Sequence, residues 1–260
     1  MDRKDTNLYR LMSVITPTHN SRHHLRDVVE SVNAQTVPVY EHIIIDDGSS
    51  DDTQDILKKI EKEFSHVRIV FQKRSGAAAA RNKGIEVARG RYIAFLDVDD
   101  LWGNQKVEKQ LRFMEKENCI FSYGDYAEIN IHNQHIGKYY RLPFRVGYRH
   151  LLRGCPIGCL TAAYNQEILG KRYMPLVKSG HDWGLWLELA REGVVAYKYP
   201  GVEAFYSNGK ASLSSRKLHK IINIYKIYRD REKLSIFSAA FRTVQHSILA
   251  VVKKARLIYN

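Results

Sequence analysis

Three acidic residues directly follow an apolar segment, and their spacing could hold a divalent cation. The segment Phe95-Leu96 leads into Asp97, Asp99 and Asp100. Carboxylates crowded in this way repel one another unless a cation lies among them. Their oxygen atoms suit Mg²⁺ or Mn²⁺ bridging a diphosphate. The alternative is a solvated acidic turn that binds no ligand.

A second acidic run, residues 46–53, also follows an apolar stretch. A carboxylate at its start could accept the imide N–H of a uracil ring, and Gly48 would let a ligand approach the backbone closely. The same residues are also compatible with a turn in which Asp51 or Asp52 caps the next helix.

Two further positions carry side chains that could act on a phosphorylated ligand. Arg81, within residues 76–84, could hold a pyrophosphate or orient the acidic residues, or it could be a surface arginine on an amphipathic helix. Asp182 opens an aromatic segment with helical spacing. Its anion is stabilised at a helix start and could act as a general base, although a simple N-cap is the alternative.

The segments that position these residues alternate between strand and helix. Hydrophobic patterning predicts strands at 12–16, 42–45, 67–71 and 92–96, and helices at 21–32, 51–64 and 77–88. Ser21 is the expected N-cap of the first helix. The alternation indicates an α/β fold with a mostly parallel sheet flanked by helices. Such sheets bind ligands at the carboxyl ends of their strands, where we expect Thr16, Asp46, Asp47 and Asp97.

The second half of the chain has a weaker pattern. We expect a helix at 104–118, a hairpin or edge strands at 120–131, loops and short strands at 133–160, and a helix at 182–192. Two basic helices, 217–228 and 235–258, would form a C-terminal extension.

Net charge is concentrated in the tail of this 260-residue chain. The whole chain carries +13, whereas residues 216–260 hold eleven Lys/Arg and two acidic residues and therefore carry +9. Basic tails bind nucleic acid or anionic membrane surfaces. We expect that this tail does not bind nucleic acid. A membrane surface is favoured by an apolar face beside basic residues, and the alternative is a helix packed on the main domain. The residues of this face are Ile248, Leu249, Val251, Val252, Lys253, Lys254 and Arg256.

The three cysteines, Cys119, Cys155 and Cys159, are expected to be free thiols rather than a disulfide framework or half of a zinc site. No apolar run reaches the length of about 18 residues that a membrane span needs, and the N-terminus does not resemble a signal peptide. We expect a cytoplasmic protein, at most peripheral on the inner face of the cell membrane.

Taken together, these segments resemble the family-2 glycosyltransferases of the GT-A fold that serve bacterial polysaccharide biosynthesis. The resemblance spans most of the chain before the tail. The matching pieces, in order, are residues 13–20, 46–53, 76–84 with the core Ala80-Arg81-Asn82, Asp97-x-Asp99, and His181-Asp182-Trp183 followed by Leu185-Trp186-Leu187.

The resemblance implies a UDP-sugar donor and a role for each of five residues. Thr16 and Pro17 would line the nucleotide site, and Asp47 would bind the uracil edge. Arg81 would lie near the base and diphosphate, and Asp97 would contact the ribose or a metal-bound water. Residues 1–115 would form the nucleotide-sugar half of the domain, 116–215 the acceptor half, and 216–260 the basic tail.

The resemblance also implies a metal-dependent, inverting transfer to a saccharide or lipid-linked saccharide. Asp99 would ligate Mn²⁺ or Mg²⁺, and Asp182 would be the catalytic base. The residue before that base is His181, where the family commonly has Glu.

Residues 206–214 depart from the family pattern Tyr-Arg-x-His-x-x-Ser-x-Ser. Ser207 replaces the Arg and Gly209 replaces the His, so that Lys210 could supply charge to the diphosphate instead. The Gln-x-x-Arg-Trp motif of processive synthases is missing from the sequence, which favours addition of a single sugar.

Three other functions compete with this interpretation. A metal-dependent nucleotidyltransferase also pairs acidic residues with a cation, and a non-catalytic binder of nucleic acid or membrane could use the basic tail. A nicotinamide-dependent dehydrogenase needs Gly-x-Gly-x-x-Gly after the first strand, where this chain has Pro17-Thr18-His19-Asn20.

Overall fold

A mixed β-sheet with helices on both faces forms the body of the protein. A computed structural model describes residues 11–130, 135–207 and 215–256. The strands in these ranges are β1 Met12–Thr18, β2 Glu41–Asp47, β3 Val67–Gln72, β4 Tyr92–Phe95, β5 Leu101–Trp102, β6 Phe121–Asn130, β7 His135–Tyr140, β8 Arg145–Val146, β9 Ala163–Asn165 and β10 Ala196–Ser207.

The helices connect these strands and then extend beyond the sheet. They are α1 Leu25–Asn33, α2 Thr53–Glu63, α3 Ala77–Val87, α4 Lys106–Lys116, α5 Tyr148–Leu151, α6 Gln166–Leu169, α7 His181–Arg191, α8 Ser215–Lys226 and α9 Ile236–Arg256. A 3₁₀ turn at Cys159–Thr161 and a π-helical turn at Ile227–Arg231 complete the described elements.

The strands lie in the order β3-β2-β1-β4-β9-β6-β10-β5, with β7 beside β6 and β8 beside β10. Strands β1 to β4 are mutually parallel, and β10 is parallel to β6. Strand β9 is antiparallel to both β4 and β6 and joins the two parallel groups. The predicted α/β fold with a mostly parallel sheet is therefore confirmed.

Hydrophobic side chains alternate between the two faces of this sheet, as the pleat of a strand requires. Val14 and Ile44 belong to a buried cluster shared with α1, α2 and α4. Ile15, Ile43 and Ile45 belong to a second cluster shared with α3 and α7. The central strands are thus buried on both faces, which explains their continuous apolar sequences.

Helix α3 lies unusually close to β1. A Cβ atom added to Gly84 would overlap the side chain of Ile15, so only glycine allows this approach. The contact holds α3, which carries Arg81, against the central strands.

Two local expectations need correction. Helix α1 begins at Leu25 rather than at Ser21, and the Ser21 hydroxyl donates to the carbonyl of His19 instead of capping the helix. The backbone N–H of Ser21 donates to Thr53 Oγ1 at 2.9 Å, and residues 22–24 form a turn before the helix. For the segment predicted at 120–131, strand β6, Phe121–Asn130, does pair with β7 in a hairpin, but β6 lies inside the sheet, so the edge-strand alternative was wrong.

Helices α8 and α9 form the predicted C-terminal helical extension. Ile224 and Ile227 are buried in the core cluster that contains α7, and Ala239 joins them from α9. Among the described residues, no helix combines the length and apolarity needed to cross a membrane.

Candidate active site

The acidic residues predicted at strand ends share one edge of the sheet. Strands β1 and β2 are in register so that Thr18 pairs with Asp46, and Asp47 pairs with Gln72 of β3. Because β4 runs parallel to β1, Asp97 leaves the sheet at the same edge. The parallel arrangement thus brings the donor-site candidates together.

Asp47 lies at the loop that opens α3. Its Oδ1 accepts hydrogen bonds from Gln72 Nε2 and the Ser75 backbone N–H, both at 2.7 Å, and its Oδ2 accepts from the Gly76 N–H at 2.8 Å. Burial alone would raise the pKa of Asp47, but these hydrogen bonds outweigh it and leave the pKa below its usual value. Asp47 is therefore a carboxylate at neutral pH.

Thr16 and Pro17 are both buried in β1. The Thr16 hydroxyl lies 2.8 Å from His42 Nε2 on the neighbouring strand. Burial, with a smaller effect from the charge of His66, lowers the pKa of His42 from 6.5 to about 3, so His42 is neutral. His42 was not singled out in the sequence, where it is indistinguishable from any polar residue in a strand.

Arg81 connects two parts of the chain that are distant in sequence. It is only 4% exposed, which excludes the surface-arginine alternative. Its Nη2 donates to Asp97 Oδ1, and its Nη1 lies 2.7 Å from His181 Nε2. Burial by itself would lower the pKa of Arg81, but the charge of Asp97, the hydrogen bond to it and the charge of Asp182 act together with Cys159 to outweigh burial and raise the pKa.

His181 is held as a neutral acceptor in this arrangement. Burial, followed by the positive charge of Arg81, lowers the pKa of His181. A neutral ring can offer its Nε2 lone pair to the guanidinium. The histidine at this place, noted in the sequence only as a replacement for Glu, therefore belongs to the site as a partner of Arg81.

Asp99 and Asp100 lie in the turn after β4, close to Asp97. Burial raises the pKa of both residues, and the charge of Asp97 raises it further. Asp100 Oδ1 accepts a hydrogen bond from the Ser207 backbone N–H at 2.9 Å, which ties this turn to the end of β10. Asp100 is thus packed against the sheet, whereas Asp99, one residue earlier in the turn, is exposed to solvent.

The acidic turn fits a divalent cation that is shared with a ligand. Within the described residues, no three or more His, Cys, Asp or Glu side chains are grouped to hold a metal by themselves. Mg²⁺ and Mn²⁺ in nucleotide sites commonly use one or two carboxylates and take their other ligands from phosphates and water. Burial is the main cause of the raised pKa values of Asp99 and Asp100, and repulsion by neighbouring carboxylates adds to it; a bound cation would offset that repulsion.

Asp182 is in the first turn of α7, directly after His181. The residue before this helix, Gly180, has a φ of 75°, a left-handed conformation that favours glycine. The charge of Asp182 acts on Arg81, His181 and Cys159. Asp182 is therefore next in the chain to His181, which contacts Arg81, and lies within electrostatic range of Arg81.

Two more residues lie within electrostatic range of these charged groups, and no sequence motif had assigned them to the site. Burial raises the pKa of the Cys159 thiol, and the charges of Arg81, Asp182 and Asp97 act on it. Burial and the charges of Asp100, Asp99 and Asp97 likewise raise the pKa of Tyr206. All three cysteines are free thiols, as predicted.

Two groups of residues named from the sequence lie outside the described part of the protein. Gly209 and Lys210, which replace the family's late motif, lie outside the described residues. The side chains of Val251, Val252, Lys253, Lys254 and Arg256 also lie outside the described part of the chain.

Comparison with known proteins agrees with the geometry. A family model described as glycosyl transferase family 2 matches residues 13–172. The chain is 39% identical over 250 residues to the putative teichuronic acid biosynthesis glycosyltransferase TuaG of Bacillus subtilis, with 96% of this chain and 99% of the relative covered. It is 34% identical over 222 residues to the UDP-Glc:alpha-D-GlcNAc-diphosphoundecaprenol beta-1,3-glucosyltransferase WfgD of Escherichia coli, with 85% and 86% covered.

Solved structures share the fold at low sequence identity. Staphylococcus aureus TarS 1–349 in complex with UDP-GlcNAc has a TM-score of 0.67 and 17% identity, with 88% of this chain and 69% of that one covered. The mannosyltransferase PcManGT of Pyrobaculum calidifontis, in complex with GDP-Man and Mn²⁺, has a TM-score of 0.66 and 16% identity, with 90% and 70% covered. The family model and the identity to TuaG show that this chain belongs to glycosyl transferase family 2.

Proposed function

We propose that the protein transfers one sugar from a UDP-sugar to a hydroxyl group of a lipid-linked saccharide, with inversion at the anomeric carbon. The name of WfgD states a UDP-Glc donor and a diphosphoundecaprenol-linked acceptor. TuaG is named for teichuronic acid biosynthesis. These names support a role in cell-surface polysaccharide synthesis, and we propose that it takes place at the inner face of the cell membrane.

One observation carries the proposal: buried Arg81 contacts both Asp97, at the donor edge of the sheet, and His181, next to Asp182. The donor half, residues 1–115, and the acceptor half, residues 116–215, are thereby linked at the place where transfer would occur. A donor phosphate and an acceptor hydroxyl could meet there without a large movement of either half.

The donor half would bind the nucleotide through residues at the strand ends. The Asp47 carboxylate already accepts three hydrogen bonds. A carboxylate has about four acceptor positions, so Asp47 could accept the uracil N3–H as well. Thr16 and Pro17 would line the base through the backbone of β1, because the Thr16 hydroxyl already pairs with His42. Asp97 would contact the ribose or a metal-bound water.

Asp99 would hold Mn²⁺ or Mg²⁺ together with the donor diphosphate. The bound ion would neutralise charge on the departing nucleoside diphosphate. Arg81 adds a fixed positive charge next to Asp97, and burial makes its effect stronger than it would be in water.

Asp182 would act on the acceptor. Its carboxylate takes the proton of the acceptor hydroxyl while the oxygen forms a bond to the anomeric carbon. The bond from that carbon to the diphosphate breaks, and UDP leaves with the electron pair. A single displacement inverts the centre, so an α-linked donor yields a β-glycoside.

The experiment combines the purified chain, Mn²⁺, a panel of UDP-sugars and a polyprenyl-diphosphate-linked GlcNAc acceptor. We expect acceptor-dependent release of UDP. The Asp182→Asn variant, which keeps the shape of the side chain and removes its basicity, should lower kcat about a hundredfold or more without changing donor affinity. Glu192→Gln, near the other end of α7, is the matched control and should retain activity. Normal turnover in Asp182→Asn would remove this residue from the base role, and release of pyrophosphate instead of UDP would indicate a nucleotidyltransferase.

A further inference from the structure

The outer face of α9 is apolar and exposed. Phe237, Phe241, Val244 and Ile248 are 87%, 65%, 59% and 56% exposed. Their spacing of four, three and four residues places them on the same face of a helix. We call these four residues the outer stripe. An apolar stripe of this size on a solvent-exposed surface indicates that it binds a partner.

The opposite face of α9 is already occupied by the protein itself. Ala239 and Thr243 are buried, and the His246 ring packs edge-on against the Trp183 ring with 4.6 Å between centroids. The helix is therefore docked on the body of the protein through its inner face. Packing on the domain and binding of a membrane, which were alternatives for this tail, use opposite faces of the helix and are compatible.

The net charge of the tail distinguishes between possible partners of the outer stripe. Residues 216–260 carry eleven Lys/Arg and two acidic residues. A second copy of this chain would bring the same positive charge against it, whereas an anionic lipid surface would attract it. An amphipathic helix in a basic segment is suited to lie in the interface between headgroups and acyl chains.

We infer that the outer stripe of α9 docks the enzyme on an anionic bilayer, with the stripe inserted among the lipid headgroups. The inference rests on the proposed function in one respect, since a lipid-linked acceptor gives the docking a purpose. Trp183 packs on α9 and directly follows Asp182 in α7. The docked helix thus sets the candidate base at a fixed height above the lipid surface, where the saccharide of the acceptor emerges.

Flotation of the full chain with vesicles tests this inference. We expect binding to vesicles containing about a third phosphatidylglycerol in phosphatidylcholine, weak binding to phosphatidylcholine alone, and a decrease with salt. The double variant Phe237→Asp/Phe241→Asp should bind the anionic vesicles at least about a hundredfold more weakly. It loses two aromatic rings that would insert into the lipid, and it gains two negative charges that the anionic surface repels. Ile168→Asp is the matched control, since Ile168 is 61% exposed on α6 and should leave binding unchanged.

Other outcomes would overturn the inference. Undiminished flotation of the double variant, or equal binding of the wild type to neutral and anionic vesicles, contradicts it. So does a wild-type dimer in light scattering that becomes a monomer in the double variant without any vesicle binding, because the stripe would then join two copies. Melting temperature and UDP affinity of the double variant should match the wild type. If vesicle binding behaves as expected while no UDP-sugar is turned over, the proposed function fails and the docking stands.

Discussion

Replacing Arg81 tests whether the contact between the donor and acceptor halves matters for both folding and catalysis. Arg81→Met keeps the hydrophobic stem of the side chain and removes the guanidinium, which forms hydrogen bonds to Asp97 and His181. Removing one partner of a buried ion pair costs about 3–5 kcal/mol. Because the Asp97 side chain is 36% exposed and can be rehydrated, we expect a smaller loss of about 2–3 kcal/mol.

This loss of free energy of unfolding corresponds to a fall in Tm of about 5–10 °C for a chain of this size. Turnover should fall further than stability alone predicts, since the start of α7 and Asp182 lose their link to the donor edge. A displacement of about 1 Å at a reacting group can cost on the order of a hundredfold in kcat.

Arg81→Lys separates charge from geometry. Lysine keeps the positive charge but lacks the planar guanidinium with its several N–H donors. Its ammonium can therefore bond to Asp97 or to His181, but not to both in the geometry that Arg81 has. We expect this variant to keep most of the stability and to lose about tenfold in kcat, between the wild type and Arg81→Met.

The assays are urea and thermal unfolding, together with UDP release measured below the melting temperature of each variant. Arg26→Met is the control, because Arg26 forms a two-pronged ion pair with Glu63 on the surface, and neither residue is among those assigned to the site. Its Tm and kcat should stay near those of the wild type. If the Tm and kcat of Arg81→Met equal those of the wild type, Arg81 does not link the two halves, and the two halves do not form one site through this residue.

Two further predictions follow from the buried ionisable groups. The pKa of His42 is lowered to about 3 in the folded protein, so folding should lose about 2 kcal/mol from this residue between pH 7 and pH 5, as the unfolded chain takes up the proton. Urea unfolding of His42→Gln at both pH values should show a pH dependence smaller by this amount, and an unchanged dependence would assign the acid sensitivity to other groups. Asp99→Asn should lower the affinity for Mn²⁺ in the presence of UDP at least about tenfold. EDTA should abolish turnover of the wild type. Equal Mn²⁺ titrations of variant and wild type by calorimetry would exclude Asp99 as a ligand.

Much of the fold could be predicted because its signals are local and periodic. The apolar runs of β1 to β4 and the helical spacing of α1 to α4 are written into consecutive residues. Once the strands are parallel, their carboxyl ends must share an edge, so the proximity of Asp47 and Asp97 follows without knowledge of any side-chain contact.

Sequence patterns were less informative where backbone groups compete locally. Ser21 is a suitable N-cap by residue type, but its hydroxyl donates to the carbonyl of His19 and the helix begins at Leu25. Likewise, nothing in residues 120–131 shows that β6 is flanked on both sides, because pairing with β9 and β10 depends on strands far along the chain.

By itself, the sequence determined the order of the elements, the acidic strand ends and the concentration of positive charge in the tail. Only the tertiary structure decided that Arg81 contacts His181, one hundred residues away, and that Ser207 holds Asp100. It also decided which face of α9 is covered by Trp183 and which remains apolar and exposed. Such contacts depend on how distant elements pack, and packing leaves no period in the sequence from which a partner could be inferred.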